Sequence, residues 1–80
     1  MKLGNLDLRR YRRFLLRCGC VEERTKGGHV VYSFLDPDSG IRHPIVLQTH
    51  VDPVPERIVR QHLRYLGLSR ERFARKWRQC

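Results

Sequence analysis

Arg24-Thr25-Lys26-Gly27-Gly28-His29-Val30-Val31-Tyr32-Ser33-Phe34 sets the centre of the chain as a β-hairpin. It holds the end of one strand, a glycine turn between cations, and a second strand that opens on a histidine. Gly27 and Gly28 allow positive φ and the close approach of a ligand to the backbone. Arg24 and Lys26 bring positive charge to the turn. His29 is the side-chain type best suited to moving a proton near neutral pH. Together they form a constellation suited to attack on a phosphodiester, although a Gly-Gly pair taken alone is most often a plain hairpin and a lone histidine most often structural.

Working outward on the C-terminal side, His29 to Leu35 is rich in β-branched and aromatic residues and predicts a central strand. Asp36-Pro37-Asp38-Ser39-Gly40 is a turn signal, and a third strand is expected from about Pro44 to His50. Pairing Leu35 with Pro44 sets Phe34 opposite Ile45, Tyr32 opposite Leu47 and Val30 opposite Thr49, a largely apolar face for packing on helices. The other face then carries Ser33 with Val46, Val31 with Gln48, and His29 with His50. A two-residue Lys26-Gly27 turn pairs Arg24 with His29. Arg24, His29 and His50 are therefore expected side by side on the open face of the sheet.

On the N-terminal side, Cys20 to Thr25 predicts a short edge strand. Before it, Leu8, Tyr11, Phe14, Leu15 and Cys18 recur at helical spacing, with Asn5 or Asp7 to cap the start and Gly19 to end the helix. Its other face holds Arg9, Arg10, Arg12, Arg13 and Arg17, a solvated row that also attracts phosphate or an acidic protein. Beyond the sheet, Asp52-Pro53-Val54-Pro55-Glu56 predicts a helix entry with Asp52 as cap. Ile58, Val59, Leu63 and Leu66 point inward and Gly67 stops the helix. Ser69 caps a last short helix anchored by Phe73 and Trp77. The expected class is α+β: helix, three-stranded antiparallel meander, helix and a short terminal helix.

The chain has 80 residues, one domain near the lower limit for a single core. Its formal charge of +9, with 17 Lys and Arg against 8 Asp and Glu, favours a polyanionic partner. Fourteen of the cations are arginine, so base composition of the gene is a competing source of the excess. No basic segment carries a bulky apolar face, which argues against membrane insertion, and no apolar run has signal or transmembrane length. Cys18, Cys20 and Cys80 are odd in number and do not match a zinc spacing, so reduced, buried thiols and a cytoplasmic setting are expected. The four histidines also lack a paired-ligand spacing.

The element order, together with Lys26-Gly27-Gly28-His29-Val30-Val31-Tyr32, resembles the HicA family of bacterial toxins, small mRNA interferases with a double-stranded-RNA-binding-like fold. The similarity spans nearly the whole chain. Phe14-Leu15 followed by Gly19 looks like the family's first helix and its exit, and Gly28-His29 with Tyr32 looks like its active-site strand. Gln48-Thr49-His50 sits where the family often has Pro-x-His, and Leu63-Arg64-Tyr65-Leu66-Gly67-Leu68-Ser69 looks like the end of its second helix. Gln48 in place of proline, a longer second hairpin, and Arg57 and His62 depart from the family pattern.

The resemblance implies that His29 is the catalytic histidine and Gly28 the small residue that leaves room for RNA beside it. It implies a HicB-type antitoxin as protein partner, and single-stranded mRNA as substrate. The expected chemistry is metal-independent attack of a ribose 2′-hydroxyl on the adjacent phosphorus, with no cofactor. His29 acts as general acid or base, and His50 as a second proton-transfer group if the register holds. Arg24 and Lys26, with the amides of Gly27 and Gly28, stabilise the phosphoryl oxygens. The free chain is expected to be a monomer that forms a hetero-oligomer with its antitoxin. The alternative of another class is a non-catalytic RNA-binding module of the same architecture. Against it stands Asp52-Pro53-Val54-Pro55-Glu56, where a double-stranded-RNA binder carries a lysine cluster. A protein-binding partner with an acidic target is a third reading.

Overall fold

A computed structural model describes residues 1–80 and gives the order α1 (Leu8–Arg17), β1 (Val21–Lys26), β2 (His29–Leu35), β3 (Arg42–Gln48), α2 (Glu56–Leu66) and α3 (Arg70–Arg78). The three strands form one antiparallel sheet in the order β1-β2-β3. The expected α+β architecture of three helices and a three-stranded meander is present.

α1 begins where the cap chemistry places it. The Asp7 carboxylate accepts from the Arg10 amide at 2.8 Å, filling one of the N–H groups that a helix start leaves unpaired. Asp52, expected to cap α2, instead accepts from the Leu8 amide at 3.1 Å. The reason is a single antiparallel bridge between Leu6 and Val54, with Val54 N donating to Leu6 O at 3.0 Å. That bridge lays the approach to α2 across the start of α1. α2 therefore starts at Glu56, with Pro55 at the cap position and no side-chain cap, and stops at Gly67 in the left-handed region, at φ 67°. Ser69 caps α3 through the Arg72 amide at 3.2 Å.

Both hairpins differ in register from the sequence expectation. The first turns on Gly27-Gly28, so Lys26, not Arg24, is opposite His29. Gly27 takes φ 59°, a conformation that lacks the Cβ penalty only in glycine; a Lys26-Gly27 turn would put lysine at that first central position. A bulge between Glu22 and Arg24 then sets Arg24 opposite Val31. In the second hairpin Leu35 pairs with Arg42, Tyr32 with Ile45, Val30 with Leu47 and His29 with Gln48. β3 thus begins two residues earlier than expected, and His50 falls beyond its end. The Asp36 carboxylate closes the loop locally, accepting from the Asp38 amide and the Ser39 hydroxyl, each at 2.9 Å. These bonds hold the carboxyl below its ordinary range. With Asp36 N donating to Ile41 O at 2.9 Å, the loop ends at Ile41.

Because side chains alternate along a strand, a slip of two residues keeps every face. Val30, Tyr32, Ile45 and Leu47 are buried, as expected, and pack with Tyr11, Phe14 and Leu15 of α1 and Val59, Leu63 and Leu66 of α2 in one core. α3 closes that core: Phe73 meets Phe14 edge to face at 5.0 Å, and Trp77 lies 5.9 Å from Phe14. Fully burying each such side chain contributes about 1.5–3 kcal/mol.

The arginine row of α1 is only partly solvated. Arg10 donates to Trp77 O at 2.7 Å and lies 4.4 Å over the indole centroid, fastening α3 to α1. Arg12 donates to the Tyr32 hydroxyl at 2.9 Å and pairs with Glu22 at 3.1 Å. The Tyr32 hydrogen bond raises its already high pKa further.

Candidate active site

His29 opens β2 and is exposed. Its position follows from the two registers: Lys26 is its partner on β1 and Gln48 its partner on β3. Opposed residues share a face of an antiparallel pair, so Lys26, His29 and Gln48 form a row across the end of the sheet. Arg24 stands opposite Val31, one same-face step further along β2. Arg24 and Lys26 are both on the open face with His29; Lys26, expected in the turn, is directly opposite the histidine, and Arg24, expected there, is one step beyond.

His50 lies in the bend after β3. Thr49 N donates to Gly28 O at 2.8 Å, which draws this bend onto the first turn. A Cβ added at Gly28 would come 2.8 Å from His50 Cδ2 and 3.5 Å from Nε2. The space beside Gly28, expected to be left for RNA, is instead filled by the imidazole of His50, and glycine is what allows the ring so close. His50 reaches this turn by tertiary approach to Gly28, whereas the strand partner of His29 is Gln48. Gly27 supplies the reversal.

α2 completes the surroundings. His29 and Gln48 share a cavity of about 160 Å³ with Arg57, Ile58 and Gln61. Arg57 and Gln61 are four apart and lie on one helix face. Their spacing was readable in the sequence, but nothing in it related that face to His29; the docking of α2 beside β3 does. Arg57 is an exposed cation in no ion pair, the only two pairs being Arg12–Glu22 and Arg60–Glu56.

The other histidines have packing roles. His43 is in β3, not in the preceding loop, and stacks on Tyr65 at 5.1 Å. His62 is buried: Nε2 is 3.0 Å from Val46 O and Nδ1 is 2.8 Å from the Tyr11 hydroxyl. A carbonyl can only accept, so Nε2 carries the hydrogen and Nδ1 accepts from Tyr11. Burial lowers the His62 pKa to about 4 and pushes the Tyr11 phenol far up. Both groups are neutral across the ordinary pH range and tie α1, α2 and β3 together.

All three cysteines are free thiols, Cys20 buried and Cys18 and Cys80 partly so. Burial raises Cys20 to about 12 and Cys18 to about 11, so neither is a ready nucleophile near neutrality. No three side chains among His, Cys, Asp and Glu are grouped so as to hold a metal ion. No helix is long and apolar enough to cross a membrane. Comparison with known proteins returns no match to a family model, a curated protein or a solved structure.

Proposed function

We propose that this chain is a HicA-type endoribonuclease with a double-stranded-RNA-binding-like fold, the toxin of a toxin-antitoxin pair, which cleaves single-stranded mRNA without a metal or cofactor. The observation that carries the reading is the seating of His50 on Gly28, next to an exposed His29 flanked by Lys26 and Arg57. Cleavage needs one group to remove a proton and another to supply one; His50 lies against Gly28 and His29 is the next residue, with Lys26 opposite it and Arg57 in its cavity.

In the proposed reaction the ribose 2′-oxygen attacks the adjacent phosphorus while one imidazole takes its proton. The bond from phosphorus to the 5′-oxygen breaks, and the other imidazole protonates the departing oxygen. The products are a 2′,3′-cyclic phosphate and a 5′-hydroxyl. His29 is the principal acid or base and His50 its counterpart. Lys26 and Arg57 stabilise charge on the phosphoryl oxygens, with Arg24 one step further along the strand. General acid or base help is worth about 100- to 10,000-fold, and charge stabilisation in a preorganised site adds to it. A HicB-type antitoxin is the proposed silencing partner and the cytoplasm the proposed setting.

The test is cleavage of an end-labelled single-stranded RNA in EDTA by the wild type, His29→Ala and His50→Ala, each checked for folding. Expected are cutting by the wild type, cyclic-phosphate ends, and loss of cutting in His29→Ala. RNA bound but left uncut by the folded wild type would replace this reading with the non-catalytic binding module.

A further inference from the structure

α3 carries Arg70, Arg72, Arg75, Lys76 and Arg78 against Glu71 alone, and none of these cations is in an ion pair. Arg72, Arg75, Lys76 and Gln79, all exposed, line an open surface groove of about 200 Å³ with no hydrophobic residue in its wall. Lys76 and Gln79 also wall a neighbouring cavity of about 170 Å³, to which α1 brings Arg17 from the other end of the chain. The two concavities share a border and make one cationic track. Cations in the last turn of a helix are expected from its dipole, which accounts for Arg75, Lys76 and Arg78 but not for Arg72 in the first turn. Like charges at three- and four-residue spacing repel; Asp36 and Asp38 wall a concavity with Arg72 and Lys76 but form no ion pair with them, so the cations remain open to an anion.

We infer that this track is a second nucleic-acid site, binding the phosphates of a single strand whose scissile bond lies at His29; it rests on the proposed RNA substrate. Phe73 and Trp77, the aromatic residues of α3, are buried, so no ring is offered for base stacking and the contact reads backbone alone. Phe34 and Asp36, at the far end of β2, wall a cavity together with Arg72 and Lys76. At about 3.3 Å per residue, β2 therefore separates the track from His29 by about 20 Å. The track makes long strands better ligands than short ones, without sequence preference.

The probe is an end-labelled single-stranded RNA longer than this separation, read by fluorescence anisotropy against salt, with His29→Ala in every protein to prevent cutting. Arg72→Gln, Arg75→Gln and Lys76→Gln together are expected to flatten the slope of log affinity against log salt by about 2, from about 0.7 per phosphate contact on a single strand. Lys2→Gln, Arg9→Gln and Arg64→Gln remove the same charge elsewhere and are expected to leave most of the slope. Equal flattening by both triple variants would mean diffuse attraction and overturn the proposal. So would polyglutamate competing as well as polyuridylate at equal charge, which would make the track a seat for an acidic protein. With His29 intact, the α3 variant is expected to cut a trinucleotide at the wild-type rate and the long strand more slowly. A slope difference without any cutting would sink the nuclease reading alone and leave the binding track standing.

Discussion

Acid should loosen this fold through His62. The imidazole is 2 % exposed, and its pKa falls from the ordinary 6.5 to about 4 because burial disfavours the cation. In the unfolded chain it returns to about 6.5. As pH falls, the unfolded state takes the proton first. The stabilisation is therefore complete above pH 6.5, declines between 6.5 and 4, and levels off below. Linkage gives a loss of about 2 kcal/mol between pH 7 and pH 5, approaching about 3 kcal/mol in stronger acid. A urea slope of about 1 kcal/mol per molar, usual for a small domain, converts the first figure to a midpoint shift of about 2 M. The assay is urea denaturation followed by circular dichroism at pH 7 and pH 5, on the wild type and on His62→Gln. Glutamine can donate to Val46 O but does not titrate. The wild-type midpoint is expected to fall by the amount above and the variant's to fall much less. Parallel shifts in the two proteins would refute the assignment of a buried neutral His62.

Further outcomes follow from the same contacts. His29→Ala should keep its thermal midpoint and lower RNA cleavage by about 100- to 10,000-fold, as measured by initial rates. Gly28→Ala places a methyl 2.8 Å from His50 Cδ2; His50 is exposed and able to swing away, so stability should change by less than about 1 kcal/mol while cleavage falls as in His50→Ala. The double variant should be no worse than either single one; additive losses would separate the two residues. Arg10→Ala removes the bond to Trp77 O and the cation over the indole ring, a loss of about 1–2 kcal/mol readable in the urea midpoint. Phe73→Ala, at a fully buried edge-to-face contact, should cost about 3–5 kcal/mol. Against a total of roughly 4–12 kcal/mol for a domain of this size, that is at least about a quarter of the stability, readable as a lowered urea midpoint by circular dichroism.

Local signals made the elements readable. Asp7 at the start of α1, Gly67 after α2, Ser69 before α3 and the β-branched run of β2 each act within a few residues, and each stands where the sequence placed it. The helical stripe of Tyr11, Phe14 and Leu15 and the alternation of Val30 and Tyr32 likewise identified core positions before any contact was known. Register was less accessible. Two pairings of β2 with β3 that differ by two residues bury the same faces, so burial could not choose between them, and the Asp36 loop decided. Asp52 misled because a carboxylate near a proline-rich helix entry reads as that helix's own cap; the Leu6–Val54 bridge redirected it to α1.

Local sequence is enough for the order of the elements, the inward stripe of each helix, the cationic excess, and His29 at the start of a strand after a glycine turn. These depend on neighbours two to four residues away, where side-chain chemistry and backbone preference act without the rest of the chain. Tertiary structure alone decided what surrounds Gly28 and His29. It put Lys26 and Gln48 beside it through register, laid His50 on Gly28 through the Thr49 hydrogen bond, and brought Arg57 and Gln61 to its cavity through the docking of α2. It also took Arg10 out of the solvated row and closed His62 into the core. Those contacts join residues from separate elements, and their geometry is set by how whole faces pack, which no local pattern encodes.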